Sequence, residues 1–286
     1  MIQTNPPSAK STLDDGNIEQ VLLQDRRLVV LALLALSLLA WTYLVVMARQ
    51  MAAGDMTLMG MGAPSAMPGT DMMGAMAASQ MPWSLLTFLL MFVMWSVMMI
   101  GMMIPSAAPM ILLFARVQRR KLADQAPTTR IAAFTAGYLL IWTSFSLIAT
   151  GLQWALMELR WLSPMMESTS QFLAVGVLLA AGIYQLTPLK LACLNQCQSP
   201  IGFLTSHWKD GALGALSMGV EHGMFCLGCC WLLMALLFVG GVMNLIWVAL
   251  IATFVLLEKV VPRGEIVGRL GGIFLIVFAG FVAAHS

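Results

Sequence analysis

A run of soft metal ligands interrupts an apolar segment in the second half of the chain. The run begins at residue 216, reads LSMGVEHGMFCLGCCWLLM and is long enough to cross a bilayer. Its polar members are Glu221, His222, Cys226, Cys229 and Cys230. Such groups are costly in hydrocarbon and usually mark a site. Thiolates beside an imidazole favour Cu(I) or Zn(II), and the 25 methionines of the chain favour copper.

The spacing within this run predicts one stripe of ligands. Residues three and four positions apart share a helix face, so the stripe holds Met218, His222, Cys226 and Cys229 or Cys230. The alternative is that the cysteines are small buried hydrophobes. Three cysteines in five residues, one turn after a histidine, favour metal or redox chemistry. Glu221 points about 100° away from His222 and could accept a proton, orient a partner or pair with a Lys or Arg.

Methionines form two further sets of candidate ligands. Residues 91–103 contain six methionines, and one helix face carries Met91, Met94, Met98 and Met102. Thioethers are weak, neutral, soft ligands, so this row could pass Cu(I) along without trapping it; ordinary packing is the alternative. Ten more methionines occupy a Gly/Ala/Pro-rich stretch between residues 47 and 81. That stretch resembles the extracellular methionine motifs of copper transporters and predicts metal capture, with a low-complexity linker as the alternative.

A second pair of cysteines, Cys193 and Cys197, follows the Thr187-Pro188 break. Their spacing places both thiols on one side of a helical turn. We expect them at the inner membrane face, where a reducing cytoplasm keeps them as thiols suited to receive or release a soft metal. Two unrelated thiols are the alternative.

The composition indicates an integral membrane protein. The chain has 286 residues, is 60% hydrophobic and 10% charged, and has a mean hydropathy of +0.86, whereas soluble domains carry about a quarter charged residues. An all-α transmembrane bundle of seven spans is predicted, with the sixth the least certain. The spans are 28–47, 83–104, 131–155, 170–187, 212–238, 243–258 and 267–284.

The distribution of positive charge predicts the orientation. Of the 15 Lys and Arg, Arg49 and Arg160 fall in predicted outer loops and the others in inner segments. The N-terminus should therefore be cytoplasmic and the C-terminus, Ser286, on the outer side of the membrane. Residues 1–27 should form a disordered cytoplasmic tail and 28–82 a first span with its methionine-rich periplasmic loop. Residues 83–286 should form a six-helix metal-binding membrane domain.

Several of these motifs together resemble a family of predicted metal-binding integral membrane proteins, a domain of unknown function with a copper-chaperone-like label. The resemblance covers residues 83–284, in which the matching pieces are Met94-Trp95 to Pro109, Gly137-Tyr138-Leu139 with Trp142, Tyr184 to Cys197 and Gly223 to Met234. It implies a bacterial membrane protein that handles metal, with copper the expected one, and it implies no established reaction.

These observations predict a Cu(I)-binding membrane protein that is not an enzyme. It would either move copper across the bilayer or deliver copper to a membrane cuproenzyme such as a monooxygenase or an oxidase. If the second and fifth spans pack together, copper could step from the methionine loop to the methionine row and then to the Cys/His stripe. Cys193 and Cys197 would then stand at the cytoplasmic exit.

The alternatives are an accessory subunit of a membrane enzyme complex and a thiol redox protein. The net charge of +2 and the lack of a nucleotide-binding motif argue against nucleic acid and nucleotide partners.

Overall fold

The computed structural model describes residues 29–49, 84–121, 127–162 and 170–285, and this part of the chain is helical, as predicted. The predicted disordered tail and the methionine-rich loop lie outside the described residues. The helices are α1 (Val29–Arg49), α2 (Leu85–Lys121), α3 (Pro127–Glu158), α4 (Gln171–Gln185), α5 (Pro188–Gln198), α6 (Pro200–Ser206), α7 (Gly211–Ala235), α8 (Leu237–Gly240), α9 (Leu245–Val260) and α10 (Gly264–Ala284).

In the described ranges, five helical segments are long and apolar enough to cross a membrane, or six if the bent α4–α5 pair counts as one span. The five are α1, α2, α3, α7 with α8, and α10. Helix α9 covers the predicted sixth span but has 16 residues, or about 24 Å against the roughly 30 Å of a hydrocarbon core. Large apolar side chains such as Phe172, Leu213 and Ile246 point outward, as lipid contact requires.

Helix α2 continues through its two prolines, which corrects the predicted end of the second span at residue 104. It runs 37 residues to Lys121 with Pro105 and Pro109 inside. Pro105 has no N–H to bond the carbonyl of Gly101, four residues earlier. The indole N–H of Trp41 donates to that carbonyl at 3.3 Å. A neighbouring helix thus satisfies the freed backbone group, the usual way membrane helices tolerate proline.

The chain bends between α4 and α5 at the predicted break. The two helix axes differ by 65°. Thr187 caps α5 by accepting a bond from the backbone N–H of Lys190 at 3.3 Å, and Pro188 occupies the first turn, a position where its missing N–H costs nothing. The bend turns α5 toward α7, which brings Cys193 and Cys197 to the three cysteines of α7.

Glycines allow α3 and α7 to pack at very short range. A Cβ added at Gly219 of α7 would lie 2.0 Å from the carbonyl oxygen of Phe134, and one at Gly137 of α3 would lie 2.2 Å from that of Leu216. Gly219 and Gly223 are four residues apart, the spacing at which small residues let membrane helices approach closely. This contact fixes the position of Tyr138 along the helix axis relative to the ligand stripe of α7.

Candidate metal site

The predicted stripe lies on the buried face of α7. Met218, His222, Cys226, Cys229 and Cys230 are all among the buried residues of this helix. The Met218 sulfur accepts a bond from the backbone N–H of Lys209 at 3.3 Å. Glu221 points to the other side, where it forms an ion pair with Lys209. Of its three possible roles, the structure shows the pairing with a lysine.

The structure joins the two groups of cysteines into one cluster, although the sequence suggested two separate constellations. The Cys197 thiol of α5 interacts with the thiols of Cys226 and Cys229. Cys193 is half-buried, and its sulfur lies against Gly228, where an added Cβ would be 2.8 Å away. The bend before α5 therefore places Cys197 beside Cys226 and leaves Cys193 at the margin of the cluster.

A cavity of about 170 Å³ opens beside this cluster. It lies where α5, α6, α7 and α9 meet the second half of α2. Its lining combines soft ligands, a cation and a hydroxyl: Cys197, His222, Cys226, Met110, Lys259 and Ser106. The space is large enough for a water-sized occupant, and its donors are those that soft metals prefer.

Cys226 has two polar partners that sequence reasoning missed. Lys259, at the end of α9, places its Nζ 2.9 Å from the Cys226 sulfur and donates to the Ser106 hydroxyl at 3.3 Å. The Tyr138 hydroxyl lies 3.1 Å from the same sulfur and donates to the carbonyl of Met103 at 3.2 Å. The charge pattern places Lys259 in an inner segment, and its position directly after Glu258 in an apolar run is the signal that could have indicated this role.

The other two cysteines of α7 have their hydrogens directed elsewhere. The thiols of Cys229 and Cys230 each donate to the carbonyl oxygen of Cys226 at 3.0 Å. Cys226 and Cys197 line the cavity, whereas Cys229 and Cys230 are not among its lining residues.

His222 has a ring nitrogen available for a ligand. Its Nδ1 is buried and has no hydrogen-bond partner among the described residues. The ring stacks on Tyr138 with centroids 5.8 Å apart and meets Phe203 edge to face at 5.3 Å. Buried polar atoms without partners are rare and call for an explanation. An imidazole packed against aromatic rings, in the lining of a thiol-containing cavity, fits a metal ligand.

The donor set fits a soft metal, but the side chains are not closed around one. In the described ranges, no three His, Cys, Asp or Glu side chains are grouped to hold an ion as they stand. The bonds of Cys229 and Cys230 to the carbonyl, and of Cys226 to Lys259 and Tyr138, account for this arrangement. Cys197, Cys226 and His222 would hold a metal after rotation of their side chains toward the cavity.

The methionine row leads to the cavity. Met94, Met98 and Met102 are buried, with at most 2% of their surface exposed, so they face the bundle interior and not lipid. Continuing in steps of four from Met102, the row reaches Ser106 and Met110, and both line the cavity.

The contact between α2 and α7 differs from the direct packing that the predicted path required. Helix α2 packs mainly on α3 and α9, and α7 packs mainly on α3 and α5. Tyr138 of α3 and Lys259 of α9 bridge α2 to Cys226.

A buried ion pair supports the same end of the bundle. Lys190 of α5 pairs with Glu258 of α9, and both side chains are almost completely buried. The Gln198 amide donates to the carbonyl of Glu258 at 2.6 Å. Gly268 of α10 leaves the room that the pair occupies, since an added Cβ would lie 2.6 Å from the Glu258 carboxylate. The pair ties α5, which carries Cys197, to α9, which carries Lys259.

Fold and site together define a helical membrane protein with a thiol- and imidazole-lined cavity inside its bundle. Residues 92–282 match the family model described as PpoB2: Copper chaperone. The match covers well over half of the chain, so the protein belongs to this copper chaperone family, and the family resemblance predicted from the sequence is confirmed. Comparison with curated proteins and with solved structures gives no match.

Proposed function

We propose that this protein binds Cu(I) in the cavity between α2, α7 and α9 and delivers it to a membrane cuproenzyme of the bacterial inner membrane. The observation that carries the proposal is the convergence of Cys197, His222 and Cys226 on one cavity, with His222 Nδ1 unbonded among the described residues. Copper is here the cargo, and thiolate and imidazole are ligands suited to its reduced form. The family supports a copper-related function.

In this proposal Met94, Met98 and Met102 are the approach and the cavity is the holding site. The thioethers are neutral and bind weakly, whereas deprotonated thiols bind Cu(I) much more strongly. Copper entering along α2 would therefore pass toward Cys226 and Cys197. Delivery is preferred to transport because delivery needs one occupied cavity and release to a partner, whereas transport also needs a continuous route across the bilayer.

The direct test is Cu(I) binding by the full-length protein, purified anaerobically in detergent. Titration against a coloured Cu(I) chelator should give one Cu(I) per chain. Cys197→Ser and Cys226→Ser should each weaken binding strongly, and Cys226→Ser with Cys229→Ser should abolish most of it. Cys193→Ser is the matched control, because Cys193 sits at the margin of the cluster. Equal affinities in all of these variants would contradict the proposal.

Delivery and transport differ in cells. If the protein delivers copper, deleting it should lower the copper content of a membrane cuproenzyme while total cellular copper stays constant. If it transports copper, total cellular copper should change. A thiol redox role predicts that Cys226 and Cys229 cycle between thiol and disulfide in vivo, which alkylation of trapped thiols would reveal, and that copper is irrelevant to it.

A further inference from the structure

Lys259 places an ammonium group beside the candidate metal ligands. Lys259 is buried, lies 2.9 Å from the Cys226 sulfur and lines the cavity. Among the described residues the acidic partners in ion pairs are Glu258, Glu221 and Glu265, which pair with Lys190, Lys209 and Arg269. No carboxylate in this part of the chain therefore lies within ion-pair distance of Lys259.

An isolated ammonium in a membrane interior is expensive. The groups that face Lys259 are the Ser106 hydroxyl, the Tyr138 hydroxyl and the thiols of Cys226, Cys229 and Cys230. Cys229 and Cys230 direct their sulfurs to a backbone carbonyl and do not line the cavity, whereas Cys226 and Cys197 do. The negative charge that balances Lys259 would therefore come from the thiolates of Cys226 and Cys197.

We propose that Lys259 makes this cavity selective for a soft monovalent cation, Cu(I), over Zn(II); this inference rests on the proposed function. Cys197 and Cys226 bind as thiolates and release their protons to solvent, and His222 binds as a neutral imidazole. Two thiolates with a monovalent ion carry one negative charge, which Lys259 cancels. With a divalent ion the thiolates are already neutralised, and Lys259 remains as an uncompensated buried charge.

The metal preference depends on the number of thiolates that bind the ion. If Cys229 joined as a third thiolate, a divalent ion with Lys259 would be neutral and a monovalent ion would leave one negative charge. The preference would then be reversed. Two thiolates are counted because Cys197 and Cys226 line the cavity and Cys229 does not.

The test compares metal affinities of the full-length protein in detergent under reducing, anaerobic conditions. Cu(I) and Zn(II) dissociation constants are measured by chelator competition for the wild type, Lys259→Met and Lys259→Arg. Lys259→Met should weaken Cu(I) binding by at least roughly 100-fold, the scale expected when one member of a buried charge pair is removed. Zn(II) binding should stay equal or strengthen, and Lys259→Arg should keep the wild-type preference.

Lys209→Met is the matched control, because Lys209 is exposed and pairs with Glu221. It should bind both metals as the wild type does. A Lys259→Met protein that keeps its Cu(I) affinity, or that loses Cu(I) and Zn(II) equally, overturns the inference. A wild type that binds no Cu(I) overturns instead the proposed function on which the inference rests.

A measurement without mutation covers the case in which Lys259→Met fails to fold. Ag(I) and Cd(II) are both soft cations and differ in charge. The ratio of Ag(I) to Cd(II) affinity should be higher for the wild-type protein than for a simple uncharged thiol such as 2-mercaptoethanol, which supplies thiolates without the lysine. A ratio equal to or below that of the simple thiol would overturn the inference.

Discussion

Gly219→Ala tests whether the close contact between α3 and α7 builds the site. The added Cβ would lie 2.0 Å from the Phe134 carbonyl oxygen, whereas real Cβ contacts essentially never fall below 3.0 Å. The obstacle is backbone, so the helices must separate by about 1 Å at this point. Tyr138, one turn along α3 from Phe134, would move with its helix and lose its 3.1 Å contact with the Cys226 sulfur.

The expected cost follows from the packing. Forcing an extra methyl group into a close-packed contact costs about 1–3 kcal/mol, which exceeds the roughly 0.5–1 kcal/mol that alanine gains over glycine inside a helix. Gly151→Ala on α3 is the matched control, because an added Cβ there meets nothing within 4 Å. The control should therefore unfold at the same temperature as the wild type or slightly higher, and Gly219→Ala at a lower one.

The assay pairs thermal unfolding in detergent with Cu(I) titration of the same samples. Gly219→Ala should lower both the apparent midpoint and the Cu(I) affinity, and Gly151→Ala should lower neither. If Gly219→Ala binds copper as the wild type does and unfolds at the same temperature, the α3–α7 contact does not position Tyr138 against Cys226. The reasoning that links helix packing to the site would then be refuted.

Three further predictions address the ion pair, the methionine row and the topology. Glu258→Gln leaves Lys190 buried without its carboxylate and should lower the free energy of unfolding by about 3–5 kcal/mol. Glu265→Gln is the control, because it breaks an exposed pair with Arg269, and it should cost under about 1 kcal/mol in the same unfolding assay. Changing Met94, Met98 and Met102 together to Leu should keep the folded yield and the Cu(I) affinity but slow Cu(I) loading in stopped-flow measurements. An unchanged loading rate would mean that these methionines serve only to pack the helices. A reporter after Ser286 should be periplasmic and one between residues 115 and 130 cytoplasmic, and finding both on one side would reject the seven-span topology.

Local periodicity explains what the sequence could predict. The step of three and four residues from Met218 to Cys230 placed these side chains on one face, and α7 buries that face. The same rule placed the methionines of α2, and they are buried. Thr187-Pro188 marked a break because a capping side chain and a first-turn proline start a helix, and α5 begins there.

Contacts between distant segments explain what the sequence could not predict. Lys259 lies 33 residues from Cys226 in the chain, and only the packing of α9 beside α7 brings them together. The continuation of α2 past Pro105 depends on Trp41, 60 residues before Gly101. The union of Cys197 with Cys226 depends on the 65° bend before α5. None of these three features follows from a periodic pattern within one segment.

The ion pair and the cavity form one electrostatic arrangement, and this bears on which ion the protein handles. Glu258 and Lys259 are adjacent, yet Glu258 pairs with Lys190 while Lys259 reaches Cys226. Because Lys190 already neutralises Glu258, the charge of Lys259 is left for the cavity. A site with two thiolates and one ammonium becomes neutral on taking up a single positive charge. In the proposed function, copper would therefore pass from neutral thioethers, where it carries an uncompensated charge, to a site where that charge is balanced, and this difference favours movement from α2 toward Cys226.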